Sequence, residues 1–126
     1  MSHDDEFGRA LETVLRDLRA QCAVRPAIRE PEDDYPGVLL SGWGVYAEPD
    51  GRPAVLLSDV ADQVQGWAVE ALWEAGLSAV WPQCPEHPDT HPLRATVEKS
   101  AAVWVCPRTG VAVSRVGELL SRGGGE

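Results

Sequence analysis

The sequence predicts an α+β domain: an N-terminal helix, a small antiparallel sheet, a second helix and a C-terminal β-hairpin that resolves around a cluster of cysteine and histidine. Three observations predict it. Residues 4–23 and 59–75 space their apolar side chains at the helical period. Short β-branched or aromatic runs lie between and after them, divided by turn residues. Cys84, His87, His91 and Cys106 gather within one short stretch of the chain's last half.

Phe7, Leu11, Val14, Leu15, Leu18 and Cys22 fall on one face of the first helix. Arg9, Glu12, Arg16, Asp17 and Arg19 are expected on the other, with Asp5–Arg9 and Glu12–Arg16 as i,i+4 pairs. Ser2 or Asp4 is available as a cap. Cys22 continues the apolar stripe and reads as a small core residue rather than a reactive thiol.

Residues 25–37, RPAIREPEDDYPG, read as an acidic, proline-rich linker. Its carboxylates lack the spacing and glycine of an EF-hand loop, so a solvated charge run is the expectation. Residues 38–47 and 54–57 read as two strands joined through Glu48-Pro49-Asp50-Gly51-Arg52-Pro53, with Pro-Asp-Gly as the turn. Gly42 and Gly44 flank Trp43 and suggest a bulge or close backbone approach; no phosphate loop follows them.

The second helix is expected to start after Ser58 and stop before Gly76. Val60, Val64, Trp67, Ala71, Leu72 and Ala75 form its buried stripe. Val69 and Trp73 point roughly 140–180° away from Val64, among Asp62, Gly66 and Glu70. Such a pair either packs on another layer of the domain, the favoured expectation, or offers a partner surface. Short strands are expected around 79–81, 93–98 and 101–105, with a turn at Glu98-Lys99-Ser100. A strand or helix entry at 111–113, a helical piece over 114–121 and a flexible tail at 122–126 complete the chain, read as one domain over 1–126.

The chemistry gathers in WPQCPEHPDTHPL and AVWVCPRTG. Cys84, His87, His91 and Cys106 follow the spacing C-x2-H-x3-H-x14-C, and two thiolates with two imidazoles make a full tetrahedral set for zinc. Two intervening residues let one turn present Cys84 and His87 to the same ion. Pro88 and Pro92 oppose a helix carrying His87 and His91, so both histidines are placed on a loop. Fourteen residues before Cys106 suffice for two short strands. Four protein ligands close the shell and imply a structural metal; if His91 stands away, an open position supports hydrolysis. A Cys84–His87 nucleophilic pair lacks an evident orienting group and oxyanion site. Trp81 and Trp104, just before the two cysteines, are expected as core or as an apolar wall beside the site.

Residues 80–113 resemble a zinc ribbon, in which two Cys-Pro-x-Cys-Gly knuckles face one another across a hairpin. The first knuckle here is Cys84-Pro85-Glu86-His87 and the second Cys106-Pro107-Arg108-Thr109-Gly110. Histidine replaces one cysteine and Thr109 stands at another ligand position, which His91 would make good. The resemblance implies zinc as the bound ion and knuckle N–H groups donating to the thiolates.

The remaining features bound the function. Twenty acidic against eleven basic residues give a formal net charge of −9, which opposes phosphate backbones and favours basic partners. A basic face from Arg94, Arg108 and Arg115, or the tryptophans as an aromatic platform for single strands, would favour nucleic acid, but the net acidity argues against it. No apolar run reaches membrane-spanning length, and the N-terminus lacks signal-peptide character, so a cytoplasmic location is expected. Arginine outnumbers lysine ten to one, pointing to a GC-rich, bacterial genome. The expected function is non-enzymatic: a small protein-interaction or regulatory module with structural zinc, whose candidate partner residues are Val69, Trp73, Asp89 and Arg94. The alternative is a zinc hydrolase using Cys84, His87 and Cys106 as ligands, with His91 or Glu86 as acid–base.

Overall fold

A computed structural model describes residues 2–30, 37–48, 52–88 and 90–119. Helix α1 spans Ser2–Gln21. It buries the expected stripe, Phe7, Leu11, Val14, Leu15 and Leu18, and adds Ala10. Each such aliphatic or aromatic side chain contributes about 1.5–3 kcal/mol on burial. The polar face differs from expectation in two respects. Asp17 is fully buried, not solvated. Glu12 pairs with Arg19 at 2.6 Å rather than with Arg16, whose guanidinium donates to the Gly117 carbonyl at 3.3 Å.

The linker region holds a strand. Ile28–Arg29 (β1) pairs with Val38–Leu40 (β2), and β2 pairs with Trp43–Val45 (β3), all antiparallel. The acidic residues 31–36 and the tail at 122–126 lie outside the described residues. Expected strand 38–47 is thus a hairpin in itself. Ser41 and Gly42 both adopt positive φ, 49° and 89°, and a two-residue turn of that hand matches strand twist.

The expected strand at 54–57 is helical. Helix α2 runs Pro53–Glu74, so Ser58 sits inside it rather than capping it. Pro53 supplies the reason: its ring presets φ for the first helical position, where its missing N–H costs nothing. The C-terminus follows the sequence signal. Leu77 N–H bonds the Leu72 carbonyl at 2.9 Å and Gly76 N–H that of Trp73 at 3.0 Å, with Gly76 at φ 76°. Gln63 on α2 holds both the N–H and the carbonyl of Tyr46, at 3.0 and 2.8 Å, tying the end of β3 to the helix.

A second antiparallel sheet is built from Arg94–Glu98 (β4), Ala101–Val105 (β5) and Ala112–Arg115 (β6), in that order. Lys99 and Ser100, φ 51° and 65°, turn β4 into β5. Residues 79–81 form no strand; pairing begins instead at an isolated bridge, Gln83 with Pro92. Residues 114–119 are not helical: β6 continues to Arg115, and a turn with Gly117 at φ 99° follows. A helix is excluded there because the chain turns back onto α1, where Gly117 and Leu119 bond Asp17. Helix α2 lies centrally, packed on α1, β3, β4 and β5. The core between them includes Leu40, Val60, Val64, Trp67, Trp81, Leu93 and Trp104. Among the described residues no helix is long and apolar enough to cross a membrane.

Candidate metal centre

Cys84, His87, His91 and Cys106 converge. One candidate ligand atom from each lies within 4.8 Å of all the others. Both cysteines are buried and both histidines partly buried, and neither thiol is in a disulfide. The group can therefore hold a metal ion.

The local chain explains the convergence. The loop carrying three of the residues is pinched shut at its ends. Gln83 bridges Pro92, and Leu93 N–H bonds the Pro82 carbonyl at 2.9 Å. Cys84 and His91 are the first and last residues inside that clasp. Two turns fill it: His87 N–H to the Cys84 carbonyl at 3.0 Å, and Thr90 N–H to the His87 carbonyl at 3.2 Å. The fourth residue comes from the end of β5. There Cys106 N–H bonds the Val111 carbonyl at 2.9 Å and Gly110 N–H bonds the Cys106 carbonyl at 2.7 Å, closing the second Cys-Pro turn.

The distances suit a common centre. Zn–S and Zn–N bonds of about 2.3 and 2.0–2.1 Å, set tetrahedrally, separate sulfur from nitrogen by roughly 3.6 Å. His87 Nδ1 lies 3.4 Å from Cys84 Sγ and 3.7 Å from Cys106 Sγ. A single N–H can serve one sulfur well; one metal ion serves both. His91 is held differently. Its Nδ1 lies 3.3 Å from the Pro92 carbonyl, which can only accept, so a hydrogen bond there requires the Nδ1–H tautomer. In that tautomer Nε2 keeps its lone pair, and it is buried with no hydrogen-bond partner among the described residues. A metal ligand histidine has this arrangement: one nitrogen anchored on a carbonyl, the other bare.

Cys106 is prepared for the thiolate form. Burial works to raise its pKa, but the Thr109 hydroxyl, the Thr109 and Arg108 N–H groups and the Cys84 thiol outweigh it, and the net shift is downward. Thr109 thus supports the Cys106 sulfur through its hydroxyl and its N–H. By contrast, burial pushes the Cys22 thiol up, as a core cysteine requires.

Trp81 and Trp104, just before the two cysteines in sequence, are buried in the core edge to face at 5.5 Å and 73°. Gln65 on α2 was not singled out by sequence reasoning. Its Nε2 donates to the carbonyls of Trp81, at 3.1 Å, and Leu93, and so fixes both ends of the clasp to the helix. Its position next to Val64, at the margin of the apolar stripe, is the only signal the sequence offers.

The four candidate partner residues are scattered. Trp73 is 73% exposed, which overturns its expected intramolecular burial, while Val69 is partly buried. Arg94 is exposed at the start of β4, and Asp89 lies outside the described residues. Arg94 and Arg115 share one face of the second sheet, opposite Val105 and Val103 respectively.

No family model matches this chain, and no curated protein or solved structure resembles it significantly.

Proposed function

We propose that Cys84, His87, His91 and Cys106 bind one zinc ion as a closed, structural site, and that the chain is a small protein-interaction or regulatory module stapled by it. The carrying observation is the convergence of one candidate ligand atom from each of the four residues within 4.8 Å of one another, with His87 Nδ1 at 3.4 and 3.7 Å from the two sulfurs. An S2N2 donor set favours zinc over harder ions, and a fourth protein ligand removes the open position that hydrolysis needs. The two Cys-Pro turns on either side of the set support a zinc-ribbon-like role for residues 80–113. Zinc would fix the clasp loop to the end of β5, so that the second sheet is held as one surface.

Metal analysis of purified protein tests this reading. One zinc per chain, lost in Cys84→Ser, His91→Ala and Cys106→Ser, supports the closed site. Zinc retained at full occupancy in Cys106→Ser refutes the ligand assignment. Zinc retained in His91→Ala with a water in its place would favour the open, hydrolytic alternative.

A further inference from the structure

A groove of about 580 Å³ opens on the side of the molecule formed by the β2–β3 turn and α2. Trp43 and Trp67 supply its aromatic lining, and Glu70 and Glu74 supply two carboxylates one helical turn apart. Trp43 is 41% exposed, yet it is not loose. Its ring lies against α2 where Gly66 has no side chain; a Cβ there would sit 3.5 Å from Cζ2. Among the described residues neither carboxylate has an ion-pair or hydrogen-bond partner. Among the described residues of the lining the one cation is Arg25, whose hydrogen-bond donors are turned away from the two carboxylates though its charge remains at the groove. Its guanidinium donates to the carbonyls of Cys22, Val24 and Arg19 at the end of α1.

We propose that this groove binds an arginine-bearing segment of a partner protein, the guanidinium stacking on Trp43 and pairing with Glu70 and Glu74. A planar cation is the ligand that uses both features together: it is attracted to an indole face and forms paired hydrogen bonds to carboxylate. The net charge of −9 would draw such a segment in. Peptide is favoured over a small free cation because the acidic, aromatic surface continues past the groove. Trp73 stands three residues on from Glu70, beside it on the helix surface, and is 73% exposed. The proposal rests on the reading of the chain as a protein-binding module and is independent of the metal.

The test titrates the full-length chain with a labelled hexapeptide of alternating arginine and glycine, with its lysine and glutamate counterparts and with free L-arginine. Saturable binding of the arginine peptide is expected, with weaker binding of the lysine peptide and none of the glutamate one. The Glu70→Gln/Glu74→Gln pair should weaken it about tenfold or more, and Trp43→Leu similarly, whereas Trp43→Phe should retain most of it. The Trp43 indole N–H resonance should shift on binding. A control pair of equal charge change, Glu98→Gln/Glu118→Gln, should leave the affinity unchanged. Equal weakening by the control pair, absence of saturable binding, or L-arginine binding as tightly as the peptide each overturns the proposal. Zinc content measured on the same samples keeps failure here distinct from failure of the metal site.

Discussion

The Asp17 carboxylate accepts a 2.8 Å hydrogen bond from the Trp104 indole, linking α1 to β5 two residues before Cys106. The same oxygen accepts Gly117 N–H at 2.6 Å, and the other accepts Leu119 N–H at 3.0 Å. One fully buried carboxylate thus gathers a helix, a strand and the segment after β6. Asp17→Ala removes the acceptor for three donors, and buried donors left unsatisfied cost about 1–3 kcal/mol each. Denaturant unfolding should show a loss of about 3 kcal/mol, well beyond an exposed substitution such as Glu12→Ala. Asp17→Asn should recover only part, because its amide turns a donor towards N–H groups.

Burial pushes the Asp17 carboxyl above its ordinary value of 3.8, against the opposing pull of Trp104, Gly117, Leu119 and Arg16. A raised folded-state pKa means that the folded chain holds the proton more tightly than the unfolded one. The proton-linked part of this group's contribution is therefore fully present below pH 3.8 and is lost as pH rises through the folded-state value, while the hydrogen bonds accepted from Trp104, Gly117 and Leu119 remain. The stability difference between the native chain and Asp17→Asn should shrink as pH rises across that window. A flat difference in denaturant midpoints would contradict the raised value.

Removing zinc should loosen one end of the molecule before the other. Between its ends the clasp loop is held by turn hydrogen bonds and adds only Cys84 to the buried core, whereas α1 and α2 share most of that core. Chelation should raise hydrogen exchange at residues 83–93 and 106–111 while the helices stay protected, and should lower the melting temperature. Acid should act like chelator, since protons compete for the thiolates and imidazoles. Uniform loss of protection would show instead that the metal supports the whole fold.

Gly117 meets α1 at close range. At φ 99° an added Cβ would stand 2.5 Å from Thr13 Cγ2. Gly117→Ala therefore combines backbone strain with a clash, and should cost about 2 kcal/mol or more. Thr13→Ser deletes the clashing methyl and should recover part of that loss in the double variant. Full additivity in thermal melts would place the whole cost in the backbone.

The cluster of Cys84, His87, His91 and Cys106 was legible because ligand chemistry and chain spacing are local properties. So were α1, the end of α2, and the β4–β5 hairpin, where periodicity and turn residues agree. The start of α2 was misread because Val55-Leu56-Leu57 is as good a strand as a helix segment, and Pro53 decided between them. Asp17 was misread because helical periodicity reports which face a residue occupies, not whether a donor from eighty-seven positions away will meet it. Thr109 and Gln65 act through hydrogen bonds to groups whose positions exist only once the loop is closed.

The β4–β5 turn offers a gain in stability that the sequence does not use. Lys99 and Ser100 both hold positive φ, 51° and 65°, in a two-residue hairpin loop. That conformation costs roughly 1 kcal/mol for an ordinary side chain, and asparagine followed by glycine is the pair that adopts it most readily. Both residues are exposed, so little packing is lost on replacement. Lys99→Asn with Ser100→Gly should raise stability by about 1 kcal/mol, the conformational gain being partly offset by glycine's greater freedom in the unfolded chain. Because β5 runs directly into Cys106, the same change should also slow exchange along β5 in the metal-free protein. A melting temperature that falls would show that Lys99 or Ser100 makes a contribution beyond the turn.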